Sequence, residues 1–110
     1  MERPERNVKN MLISAKDTSE LMLDLAYAAV FFNDRDIVEE VIDLEKNMSE
    51  IVHDLQVLCI LAGRSPEEAQ QVSTILHIAT GIEKIGDEAS EIARVVTKDL
   101  GIPEELLLDL

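Results

Sequence analysis

A chain of 110 residues with 46% hydrophobic and 30% charged side chains has the size and composition of a single globular domain, not of a disordered segment. Its formal net charge of -13 excludes a nucleic-acid partner and an anionic lipid surface, because phosphates are repelled by such a field, while cations and basic partners are tolerated. Aromatic residues are only 3% with no Trp, and Gly and Pro number 4 and 3, so the core must be Leu, Ile, Val, Ala and Met with few turns, which is the composition of a helix bundle.

The opening "MERPERNVKN" is charged and has no apolar stretch of signal-peptide type. No run approaches the roughly 20 apolar residues that span a bilayer. The single cysteine, Cys59, allows no internal disulfide and suits a reducing compartment. These features predict a cytoplasmic protein without direct membrane insertion.

Apolar residues then recur at alternating steps of three and four over three segments, the seam of a left-handed bundle. The first carries Val8, Met11, Ala15, Met22, Leu25, Ala29 and Phe32, interrupted by Thr18 in register with Ser19 beside it. Leu12, Leu21, Ala26, Ala28 and Val30 fall outside this seam and supply apolar surface beyond what one bundle needs, which predicts a homodimer. "FNDRD" ends the segment, with Asn33 or Asp34 as cap of the next helix.

The second seam runs through Ile37, Val41, Leu44, Met48, Ile51, Leu55, Leu58 and Ala62. In "AGRSPEE", Gly63 suits a C-cap, Ser65 an N-cap, Pro66 the first helical position and Glu68 a capping box. The third seam takes Val72, Ile75, Ala79, Ile82, Gly86, Ala89, Ala93 and Val96 and stops at "KDLGIPEE", where Gly101 and Pro103 are breakers. Helices of about 27 to 33 residues, about 40 to 50 Å long, joined by short connections must lie antiparallel. The expectation is an all-α, up-down-up three-helix bundle over residues 1–100. Residues 101–110, "GIPEELLLDL", read as a tail or as the start of a linker to a missing domain.

At mid-height the pattern predicts a polar layer, with Thr18 and Ser19 level with Met48 and Ser49 and with Ala79 to Glu83. In heptad lettering Glu45 and Glu83 fall at e, and Ser49 and Asp87 at b. Glu83 and Asp87 stack one turn apart on a single face, a like-charge pair that costs a few tenths of a kcal/mol when exposed and that a hard cation would reverse. Gly81 and Gly86 each cost a helix interior roughly 1 kcal/mol. Two readings of Gly86 stay open: close helix packing, or an opening for an ion beside the carboxylates. His53, His77 and Tyr27 fall at f, away from the seam, and Cys59 reads as a buried small hydrophobe. No Ser–His pair shares a face and no glycine loop for phosphate exists, so catalysis is not expected.

"IEKIGDEASEIA" resembles the signature helix of the PhoU family of phosphate-uptake regulators, matching at Glu83, Ile85, Gly86, Asp87, Ala89, Ile92 and Ala93. "VEEVIDLEKNMSEI" is similar to the second helix of that repeat, and Pro66 stands where its third helix opens. The resemblance covers nearly the whole chain and equals one repeat of a family that usually carries two. It implies a non-enzymatic regulator of phosphate or ion transport, and metal ligation by Glu83 and Asp87, with Glu45 as a third ligand to a divalent or ferric ion. The chain departs from the family pattern at Ser49, where the second helix carries another acid, and at Glu91, where an Asn stands. "AKDTSELMLDLAYAAVFFND" and "AGRSPEEA" look like an archaeal subgroup in which one such repeat precedes a TrkA carboxy-terminal domain. That likeness implies regulation of potassium transport, at the cytoplasmic face of a transport system.

Overall fold

A computed structural model describes residues 7–62 and 64–97 as three helices. Helix α1 spans Val8–Phe32, α2 Arg35–Ala62 and α3 Pro66–Thr97, of 25, 28 and 32 residues. Each packs on the other two in an up-down-up bundle whose principal extents are 56 × 26 × 19 Å. The expected three-helix architecture is the one observed. Gly63 and residues 98–110, with the capping glycine and the tail read from the sequence, lie outside the described residues.

Short polar side chains fix the helix ends. Asn7 Oδ1 accepts from the Asn10 N–H at 2.8 Å and caps α1. Asn33 ends that helix in the left-handed conformation (φ 51°, ψ 47°), where its N–H donates to Val30 O and the Asp34 N–H donates to Ala29 O. Asp34 is therefore the cap of α2, its Oδ1 accepting from Asp36 at 2.9 Å and Ile37 at 3.4 Å, while Asn33 makes the turn. Ser65 Oγ accepts from the Glu68 N–H at 3.1 Å, with Pro66 as first residue of α3.

The core is small-residue and thioether-rich. Met11, Ala15, Met22, Ala26 and Ala29 are buried from α1; Val38, Val41, Met48, Val52, Leu55 and Cys59 from α2; Ala79, Ala89, Ala93 and Val96 from α3. The axis of the seam is displaced from the expected one. Ile37, Leu44, Ile51 and Leu58 flank the core of α2 rather than filling it, Ala62 and Phe32 are exposed, and Ala26, expected outside the seam, is buried. The reason is geometric: a helix buries a stripe at least 100° wide, so one apolar series chosen at steps of three and four describes only one edge of it.

Among the described residues no polar layer joins the three helices at mid-height. Thr18 stands at the flank and its hydroxyl donates to Ser14 O at 2.8 Å. Ser19 is buried, and its hydroxyl donates to Lys16 O at 2.7 Å, so it enters the core as a small residue already satisfied by its own helix. The residues that meet there are Met22, Met48 and Gly86. A Cβ built on Gly86 would overlap the Met48 methyl, lying 3.0 Å from its Sδ and 3.5 Å from Met22 Sδ. Gly86 is thus the hole that a fully buried Met48 fills.

The two helical glycines should respond oppositely to alanine. At Gly81 nothing lies within 4 Å of a built Cβ, so Gly81→Ala should add up to about 1 kcal/mol of stability from helix propensity. Gly86→Ala must displace the Met48 thioether and should destabilise by about 1–3 kcal/mol, despite the same propensity gain. In a Met48→Ala background the sign at residue 86 should reverse. Chemical denaturation of the unaltered chain, the three single variants and the Met48→Ala/Gly86→Ala double variant measures all three changes.

Candidate functional site

The acidic positions expected to carry chemistry lie along the seam where α2 meets α3. Glu83 is half-buried and Asp87, one turn on, is exposed. Glu45 on α2 is 25% exposed, and its Oε1 lies 3.7 Å from Nη2 of Arg94 on α3, which is 48% exposed. That pair bridges the two helices near the surface, where such contacts contribute at most about 1 kcal/mol. The pairing was not anticipated from the sequence: Arg94, three turns after Glu83, shares its face, but its contact with Glu45 depends on how α2 packs on α3.

The Met48–Gly86 contact sets the heights of these side chains. In an antiparallel pair, residues whose numbers sum to the same value lie level, so Glu45 is level with Ala89 and Ser49 with Ile85. At 1.5 Å per residue, Glu45 stands roughly 9 Å along the axis from Glu83. Ser49 occupies the height between Glu83 and Asp87, where a third donor is needed, and it is a hydroxyl. Among the described residues no group of three or more His, Cys, Asp or Glu is placed to hold a metal ion. The side chains present therefore do not fit a multinuclear cluster: one helix offers two carboxylates, and the third is drawn to Arg94. Gly86 does not open toward this flank either. It is buried and receives Met48, so of its two open readings the structure carries the packing one.

One buried group was missed. Ser90, four residues after Gly86, is 3% exposed, and its Oγ has no hydrogen-bond partner. Its heptad position is polar by type, so a seam drawn from apolar residues passes over it. The remaining candidates carry no chemistry of their own. His53 and His77 are both exposed, as their f positions predict, and Cys59 is buried, which pushes its thiol above the usual range and keeps it unreactive. An open depression on the first turns of α3 is lined by Gln70, Gln71, Thr74 and Ile75, without an ionisable group. No helix of the described residues is long and apolar enough to cross a membrane.

Comparison with known families places the chain. The family model described as the PhoU domain matches residues 12–96, from the second turn of α1 to the last turn of α3. No curated protein matches the chain.

Ser49, level with the interval between Glu83 and Asp87, is the position at which an added carboxylate should raise cation affinity. Ser49→Asp should add a third carboxylate between Glu83 and Asp87 and produce manganese binding by titration calorimetry well above that of the unaltered chain, and Glu83→Ala should remove it. Equal affinities with and without the new carboxylate would show that the register is wrong. Ser90→Ala, which deletes an unsatisfied hydroxyl and improves helix propensity, should leave stability unchanged or raise it by up to about 1 kcal/mol in thermal unfolding.

Proposed function

This chain belongs to the PhoU family, and on that premise we propose that it is a non-enzymatic regulatory module of an ion-transport system, acting through its surfaces at the cytoplasmic face of the membrane. PhoU domains are regulatory helical domains linked to phosphate and ion transport. The observation that carries the reading is the extent of the match, residues 12–96, which takes in all three helices and the Glu83–Asp87 turn. Potassium is the preferred ion, on the likeness of the first helix and of "AGRSPEEA" to repeats that accompany potassium transport.

The working unit is a homodimer. Ile78 and Ile85, seven residues apart on one face of α3, are 45% and 44% exposed, and Leu21 on α1 is 47% exposed. Isoleucines at heptad spacing on an outer face form the kind of stripe that a second copy covers through a self-complementary contact. The exposed isoleucines favour a contact on α3; of the α1 positions named from the sequence Leu21 is exposed, whereas Ala26 is buried and Leu12, Ala28 and Val30 are half-buried.

Deletion of the gene in its own host should change uptake of rubidium, as a potassium tracer, or of phosphate, and the ion affected names the system. Unchanged uptake of both ions would overturn the regulatory reading. The dimer is checked separately: sedimentation at roughly tens of micromolar should give two copies for the unaltered chain and one for Ile78→Glu/Ile85→Glu.

A further inference from the structure

All three aromatic residues of the chain lie outside its core. Tyr27 is 50%, Phe31 47% and Phe32 75% exposed. Aromatic side chains bury 150–250 Å² each and ordinarily dominate cores and interfaces, so their placement together on the last turns of α1 is a surface feature that the bundle does not use. Tyr27 and Phe31 are four residues apart and share one face, and Phe32 adjoins them. The turn that follows is held by the left-handed Asn33 and by the Asp34 cap, which fixes the aromatic end of α1 against the start of α2.

The charge around this patch is one-sided. Between Leu21 and Leu44 the chain carries six carboxylates (Asp24, Asp34, Asp36, Glu39, Glu40 and Asp43) and one cation, Arg35. Five of the six are exposed, and Asp34 is half-buried as the cap. Asp24 precedes Tyr27 by three residues and Phe31 by seven, on the same face. Because α2 returns antiparallel from the turn, Asp36, Glu40 and Asp43 stand at the heights of Phe31, Tyr27 and Asp24. The nearest lysine on α1, Lys16, is already held by Glu20 at 2.7 Å.

We infer that this end of the bundle is the docking site for a basic amphipathic helix of a partner protein, whose apolar face covers Tyr27, Phe31 and Phe32 while its Lys and Arg side chains meet the carboxylates. The inference names the partner class of the regulatory module proposed above and rests on that reading. Charge complementarity selects this occupant. A second copy would bring a net five negative charges against five more, and an anionic membrane or nucleic acid would be repelled in the same way. A basic helix gains both the apolar contact and the cation–π attraction of its cations to the aromatic faces.

The test uses the full chain and a fluorescent synthetic amphipathic helix of Leu and Lys, with a scrambled peptide of the same composition that has no apolar face. Anisotropy at about 0.15 M salt, where long-range attraction between exposed charges is screened, should give saturable binding of the amphipathic peptide alone. Phe31→Ser/Phe32→Ser, and separately Tyr27→Ser, should weaken it about tenfold or more, the size of a hot-spot loss. Asp24→Asn/Glu40→Gln should weaken it and flatten its salt dependence. Ile60→Ser/Leu61→Ser, at the opposite end of α2, should leave it unchanged. These positions are exposed, and unchanged thermal unfolding verifies that each variant is folded. Absence of saturable binding, equal binding of the scrambled peptide, or indifference to the aromatic substitutions overturns the proposal. Conversion of a dimer to a monomer by Phe31→Ser/Phe32→Ser also overturns it, because the patch would then belong to a second copy. Ion uptake does not enter the measurement, so a transport phenotype without peptide binding sinks this partner class and leaves the regulatory reading standing.

Discussion

The contact between the Met48 thioether and the space left by Gly86 is the constraint on which the rest of the bundle depends. Apolar stripes alone permit long helices to slide past one another by a turn, since leucine, isoleucine and valine offer nearly equivalent partners at each level. A missing Cβ facing a long, fully buried side chain is not equivalent to its neighbours. It fixes the height of α2 against α3 to within a residue, and Met22, whose Sδ lies 3.5 Å from the same built Cβ, ties α1 to that height. The roughly 1 kcal/mol that a glycine costs in a helix interior is offset by burial of the whole methionine side chain, worth about 1.5–3 kcal/mol.

Everything on the α2–α3 flank follows from that height. Glu83 and Asp87 bracket Ser49, while Glu45, level with Ala89, stands roughly 3 Å along the axis from Asp87 and roughly 9 Å from Glu83, and turns to Arg94. The flank therefore keeps two of the acids that the family resemblance implies as ligands and offers a hydroxyl where the third donor would sit. The arrangement is a consequence of one side chain, not of a different fold, and it lies within the PhoU domain match over residues 12–96.

Much of this was legible in the sequence, and the parts that were not share a cause. Three helices, their turns and the capping roles of Ser65 and Pro66 could be read because each depends on residues close together in the chain. The assignment between Asn33 and Asp34 stayed open until the left-handed φ of Asn33 separated the two roles. The polar layer failed because Ser19 satisfies its hydroxyl within its own helix, so side-chain polarity did not imply a polar environment. Whether Glu45 groups with Glu83 and Asp87 depends on the relative height of two helices. Heptad letters give a face and say nothing about level.

The surfaces follow a consistent division. One flank carries carboxylates partly answered by an arginine, one outer face of α3 carries spaced isoleucines, and one end carries the chain's aromatic residues among unanswered acids. A core of alanine, valine and methionine needs no aromatic side chain to fill it, because helices with small residues at their contacts approach closely. Aromatic rings are then free to sit where another molecule can cover them. In a bundle without an enclosed chemical site among the described residues, specificity has to be written on its outside. The negative field that would repel copies, anionic membranes and nucleic acid from the aromatic end is the same field that would draw a basic helix to it.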